Sequence, residues 1–337
     1  MRRWPVGGQR SAQGYPVTRT LFLHIGPAKT ATSAVQHVLR GHDNSVVLYP
    51  QVGLWSDGSH HNLVFNFFGD HRRPETTRED AGALFARIAN AAKQSGRNIV
   101  ISSEVLPGRD IAAFANALLQ YLGGTFRVEL VVVVREHLER AASLYCHRVM
   151  DGFTAETCTP DEFLSQRVHA FAYSRMLTKL GRTGFEVAAL NYHPADGCVE
   201  RVLAHFGFPK DSILVPRVRN ASPGTKALAA TLALNRTAPT PQARKRIARA
   251  LRAMPGFFGP TCPIFSRGAT EEALLKLRPD REFLADRFAI VLPEPELPGA
   301  DEGFGIDNAE FEEIAGATSR LGSDGAALTE CVRTFMR

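Results

Sequence analysis

Thr20-Leu-Phe-Leu-His-Ile-Gly-Pro-Ala-Lys-Thr-Ala-Thr-Ser-Ala-Val-Gln36 reads as a strand, a tight loop and the start of a helix. The apolar run Leu21 to Ile25 leads into Gly26, and Lys29 follows with the hydroxyl residues Thr30, Thr32 and Ser33. Ala34, Val35, Val38 and Leu39 then share one helical face. A helix start leaves backbone N–H groups unpaired and points the positive end of its dipole at one spot. A lysine and hydroxyls beside them complete a cradle of phosphate or sulfate size.

This is not the loop of nucleoside-triphosphate enzymes, which needs two glycines ahead of its Lys-Thr pair. Here Ala28 precedes Lys29, and His24 stands where the leading glycine belongs. Those enzymes also hold Mg²⁺ with an acidic residue after another strand. The strand Leu130-Val-Val-Val-Val134 ends instead in Arg135, which suits a second anion. A phosphate-rich ligand without a metal is expected, and no metal-ligating residues are assigned.

Working outward, five runs read as strands: Leu21–Ile25, Val46–Tyr49, Asn98–Ser102, Arg127–Val134 and Glu186–Leu190. Helical patterns lie between them, at Ser33–Arg40, Asp80–Ser95, Ile111–Leu122 and Leu138–Met150. Such alternation predicts an α/β fold, a three-layer sandwich around a central parallel sheet of about five strands. Ligands then sit beyond the carboxyl ends of the strands, where Gly26, Ser103 and Arg135 converge. After Tyr192 the pattern is mainly helical: Pro194–Phe206, Thr225–Met254 split by Pro239 and Pro241, Glu271–Phe288, Asn308–Leu321 and Gly325–Met336. The expected organisation is a disordered leader over 1–18 and one domain over 19–337. Its nucleotide-binding core spans 19–192, and the helical part, 193–337, carries acceptor or lid elements.

Of 337 residues, 44% are hydrophobic, enough for a core of that size. The net charge of +6 suits an anionic small ligand or glycan and is too dispersed to argue for nucleic acid. No apolar run reaches membrane-spanning length. Five scattered cysteines with no close pair argue against a disulfide scaffold or zinc site and point to a reduced cytoplasm. Arg244, Lys245, Arg246, Arg249 and Arg252 form a basic run that reads as a solvated helix face or as a contact for an acidic glycan or a membrane surface.

With these residues in view, the chain resembles the sulfotransferases that use 3′-phosphoadenosine 5′-phosphosulfate (PAPS). Their 5′-phosphosulfate loop reads roughly K-[TS]-G-[TS]-[TS], and many bacterial members read H-I-G-x-x-K-T-G-T-[TS]. His24-Ile25-Gly26 and Lys29-Thr30-Ala31-Thr32-Ser33 fit that form, except that Ala31 replaces glycine. If residue 31 opens the helix, alanine is tolerated; if it is left-handed, alanine strains the loop. The family's 3′-phosphate motif is an arginine after a buried strand with a serine eight positions on, matched by Arg135 and Ser143. A strand ending near an adenine-holding tyrosine corresponds to Val187 to Tyr192. Asn220-Ala-Ser222 is similar to an N-x-S element of bacterial members, and Arg267-Gly268 is the nearest counterpart of a late basic loop.

The resemblance implies a P-loop-like fold, PAPS as co-substrate and 3′,5′-diphosphoadenosine (PAP) as product. The acceptor is expected to be a hydroxyl on a carbohydrate or glycolipid, with peripheral membrane contact as a further expectation. Lys29 is expected to stabilise the leaving oxygens, and Thr30, Ala31, Thr32 and Ser33 to line the phosphosulfate. Glu104, just past a central strand, is the expected general base. Its rivals are His60 and His61, in an expected loop after the second strand, one of which is expected to line the acceptor pocket; His61 is the catalytic candidate of the two. The competing readings are a P-loop kinase or NTPase, and a non-catalytic nucleotide-binding protein that keeps the fold.

Overall fold

The computed structural model describes residues 19–42, 45–72, 75–124, 126–192, 197–209, 223–237, 240–258, 264–300 and 302–336. The expected leader, Asn220-Ala-Ser222 and the first residues of the helix expected from Pro194 lie outside them.

Five strands form one sheet: β1 (Arg19–His24), β2 (Val47–Leu48), β3 (Asn98–Ser102), β4 (Phe126–Val134) and β5 (Glu186–Asn191). Their order is β2-β3-β1-β4-β5, and every neighbouring pair is parallel. His24, at the end of the central strand, lies opposite Ser102 on one side and Val131 on the other. All five carboxyl ends therefore open on one edge. The helices are α1 (Thr32–Gly41), α2 (His61–Phe68), α3 (Ala81–Ser95), α4 (Ile111–Leu122), α5 (His137–Met150), α6 (Pro160–Arg167) and α7 (Ser174–Gly181). They continue as α8 (Cys198–His205), α9 (Thr225–Thr237), α10 (Pro241–Arg252), α11 (Arg267–Phe288), α12 (Asn308–Thr318) and α13 (Ser323–Arg333). None of the helices of the described residues is long and apolar enough to cross a membrane.

The strands are near-continuous apolar runs because both faces of the sheet are covered. Leu21, Leu23, Ile99, Ile101, Leu130 and Val132 join one apolar cluster with α3 and α4. Phe22, Val100, Val131 and Val133 join the other, with Val35 and Leu39 of α1 and Val202 and Leu203 of α8. Local signals set the helix ends. Asp80 and Asp110 cap α3 and α4 by accepting from the amides of Ala83 and Ala113. Gly96, in the left-handed region at φ 67°, stops α3.

The chain divides into two compact units. The first takes residues 1–136, 172–218 and 280–292; the second takes 137–171, 219–279 and 293–337. The sheet and both apolar clusters belong to the first. In the second, α9 is buried along most of its length and packs with α5, α10, α12 and α13.

The segment expected to be a loop at His60 and His61 differs: His61 opens α2 and His60 is its cap residue. This helix is short and buries Leu63, Val64 and Phe65 in succession, so it shows no clear 3.6-residue period. Helix α6 was also not expected, although Thr159 and Glu162 form a reciprocal capping box at its start.

Candidate functional site

The loop after β1 is held in an uncommon backbone shape. Gly26 has φ 79°, and a Cβ there would lie 3.2 Å from Glu104 Cγ and 3.3 Å from its Cα, so glycine is required. The Gly26–Pro27 peptide is cis. Lys29 (φ 71°) and Ala31 (φ 61°) are both left-handed. Each costs roughly 1–2 kcal/mol for a residue with a Cβ. Ala31 is thus strained, and it occupies the cap position of α1 with no side chain to offer.

None of the hydroxyls of Thr30, Thr32 and Ser33 caps the helix. The left-handed turn at Ala31 pushes the helix start on to Thr32. Thr30 Oγ1 instead donates to the Pro27 carbonyl at 2.7 Å and lies 3.5 Å from Thr32 Oγ1. Thr30 and Thr32 are buried and Ser33 is exposed. Ala34 and Val35 amides return to the Ala31 carbonyl, whereas those of Thr32 and Ser33 have no acceptor among the described residues. Those two amides and the dipole of α1 make this end receptive to an anion.

Arg135 follows β4. Its backbone N–H donates to Tyr173 Oη at 3.0 Å, and the Tyr173 hydroxyl donates to its carbonyl at 2.9 Å. The guanidinium Nη1 donates to the Lys29 carbonyl at 3.1 Å and stands 4.9 Å from the centroid of the Tyr192 ring. Tyr192 is fixed in turn by its amide, which donates to the Val134 carbonyl at 2.6 Å. Lys29, Arg135 and Tyr192 are therefore brought together at the carboxyl edge of the sheet. Sequence reading missed Arg201, on α8, whose Nη1 donates to the Asn191 carbonyl at 3.2 Å. Burial pushes the Cys198 thiol up to about 12, and Arg201 and Arg135 both pull it down. Arg201 and Arg135 thus both reach the end of β5, one at Asn191 and the other at Tyr192. No motif in the chain announces Arg201, which reaches back from α8 to the end of β5.

Glu104 lies beyond β3 on the other side of the loop. Burial pushes its carboxyl above the usual range, with the Asp57 charge adding to this; its own backbone N–H, the Gln36 amide and the Lys29 ammonium oppose them. His61 links it to β3: Nδ1 is 2.8 Å from Ser103 Oγ and Nε2 is 3.4 Å from Glu104 Oε2. The Trp55 ring meets His61 edge-on at 6.0 Å between centroids.

His60 has a different task. Its Nδ1 accepts from the Ser102 amide at 3.2 Å, so Nε2 carries the proton that reaches the Pro50 carbonyl at 2.9 Å. Its own amide donates to the Ser102 carbonyl. Fully buried, it has its imidazolium pKa pushed down to about 4, chiefly by lost hydration. His60 is a structural rivet and not a rival base. His24 is similar: buried, pushed down to about 4 by lost hydration, with Nδ1 2.9 Å from Ser102 Oγ. Gln36 Nε2 donates to the same hydroxyl at 3.0 Å.

Ser143 is on α5 in the second unit and is partly buried. Arg267, also in that unit, opens α11 and pairs with Glu271 at 3.0 Å. The chain matches no family model, no curated protein and no solved structure.

Proposed function

We propose that the first unit is a PAPS-dependent sulfotransferase, moving a sulfuryl group from PAPS to a hydroxyl of a carbohydrate or glycolipid in the cytoplasm. The architecture proposed with it is the three-layer, P-loop-like sandwich. The observation that carries the reading is the contact of Arg135 with the loop that bears Lys29. The Arg135 guanidinium touches the backbone of the loop that bears Lys29 and stacks on Tyr192. A 3′,5′-bisphosphorylated adenosine suits such a site, because it carries two anions on one ribose and a flat adenine that projects from the same sugar.

In this reading Lys29 and the Thr32 and Ser33 amides hold the 5′-phosphosulfate, with Thr32 and Ser33 hydroxyls beside them. Thr30 and Ala31 shape the loop. Arg135 and Arg201 hold the 3′-phosphate, and Tyr192 supports the adenine. The residues named here all belong to the first unit. Glu104, in its carboxylate form, accepts the proton of the acceptor hydroxyl as its oxygen bonds to sulfur. Lys29 stabilises the charge left on the phosphate oxygen as the old sulfur–oxygen bond breaks. Such catalysis is positioning plus electrostatic stabilisation. His61, in contact with both Ser103 and Glu104, orients the carboxylate and faces the acceptor side with Trp55.

Calorimetric titration of the full chain with PAP, and separately with ATP and Mg²⁺, tests the proposal. PAP is expected to bind more tightly. Preference for ATP with Mg²⁺ would mean a kinase or NTPase. Tight PAP binding with no labelled sulfate on any member of a glycan and phenol panel would mean a non-catalytic nucleotide-binding protein.

A further inference from the structure

Helix α10 concentrates the basic run of the chain, and its five cations separate into distinct sets. Arg244 turns inward, its Nη2 on Asn235 Oδ1. Arg246 pairs with Asp324 at 3.0 Å. Lys245, Arg249 and Arg252 remain, all exposed and with no carboxylate partner among the described residues. Their spacing of four and then three residues aligns them on one helical face, over roughly 10 Å of axis.

This is an unusual way to build a solvated face. Helix α10 contains no acidic residue at all. Like charges three and four positions apart destabilise a helix, and this one repeats them. Helix α11, in contrast, spaces its charges in the ordinary way, with Arg267 on Glu271 and Lys276 on Glu272 at i, i+4. No carboxylate among the described residues pairs with the stripe on α10.

We infer that this face of α10 docks a linear anionic polysaccharide, whose sulfate or carboxylate groups Lys245, Arg249 and Arg252 engage. The arginine fork matches both groups in two-point fashion. A lipid surface fits less well. A helix lying in a membrane interface puts its apolar face into the lipid, whereas Ala243, Ile247 and Leu251 of α10 are buried in the protein. The exposed positions, Pro241, Gln242, Lys245, Arg246, Arg249 and Arg252, include no large apolar side chain. The surface belongs to the second unit and does not depend on the nucleotide reading of the first.

The test uses the full chain at low salt with four probes: heparin, uncharged dextran, phosphatidylserine-rich vesicles and single-stranded DNA. Heparin is expected to bind best, and to weaken steeply as salt screens the charges. The variant K245E/R249E/R252E should lose at least about tenfold in heparin affinity at unchanged thermal stability. A control, K93E/R175E/R278E, changes the net charge equally but on three different helices, and should lose less than about threefold. No heparin binding by the wild type, equal losses in the two variants, or tighter binding to vesicles or DNA would each overturn the inference. If the first triple variant unfolds, the single changes R249Q and R252Q replace it, each expected to cost about threefold.

Discussion

The strain in the loop sits on two side-chain-bearing residues. Ala31 at φ 61° should respond to glycine: relief of the left-handed penalty exceeds the added freedom of the unfolded chain. Ala31→Gly is expected to stabilise the protein by about 0.5–1 kcal/mol in urea denaturation. Gly26→Ala should do the reverse, by roughly 2 kcal/mol or more, since φ 79° and the contact with Glu104 both oppose a Cβ. If both changes are neutral, the loop is not held as described. The cations should divide by role. Lys29→Ala is expected to lower kcat by on the order of 10²–10³ in single-turnover sulfate transfer. Arg135→Ala and Arg201→Ala should each weaken PAP binding by about tenfold or more, with adenosine 5′-phosphate binding nearly unchanged. Wild-type transfer by Lys29→Ala would remove the mechanism.

Adjacent histidines at the start of α2 end in opposite roles, because one faces the sheet and the other faces Glu104. With a native pKa of about 4 against an ordinary 6.5, His60 and His24 add stability that is present above pH 6.5. That stability is lost as the pH falls toward 4, on the order of 3 kcal/mol for each. Glu104 has the opposite sign: its raised native pKa gives a contribution present at acid pH and lost as the pH rises through the raised value. As His60 and His24 take up protons, urea midpoints should fall between pH 7 and pH 4.5, and His60→Leu should flatten part of that fall. A midpoint unchanged over this range would contradict the neutral, buried assignment. His61→Gln should leave stability within about 0.5 kcal/mol and shift the pH profile of transfer instead.

Neither unit is a continuous stretch of chain. The first needs α8, which supplies Val202 and Leu203 to one apolar cluster, and Leu284, Phe288, Ile290 and Leu292, which complete the other. A fragment ending at Tyr192 keeps every strand but exposes both clusters. It is expected to show no cooperative thermal transition by circular dichroism, whereas the full chain shows one. A folded 19–192 fragment would mean that the late segments are dispensable to the sheet.

Apolar runs bounded by glycine and charge, alternating with amphipathic patterns, were enough to locate the five parallel strands. Asn98–Ser102 and Ile111–Leu122 even appear with the bounds their patterns predict. Such features are short-range: a buried strand must be apolar on both faces and a helix must repeat its apolar face, whatever lies elsewhere. Lys29, Arg135 and Tyr192 were legible for the same reason, since a parallel sheet carries all its strand ends to one edge. Ala31 was not, because alanine is compatible with either backbone state and the neighbouring turn selects between them. His60 and His61 are chemically identical in the chain, and only the direction each ring takes from the start of α2 separates a rivet from a site residue. The late segment with Leu284, Phe288, Ile290 and Leu292 that seals the sheet is joined to it by packing between residues far apart in sequence, a relation that no local pattern records.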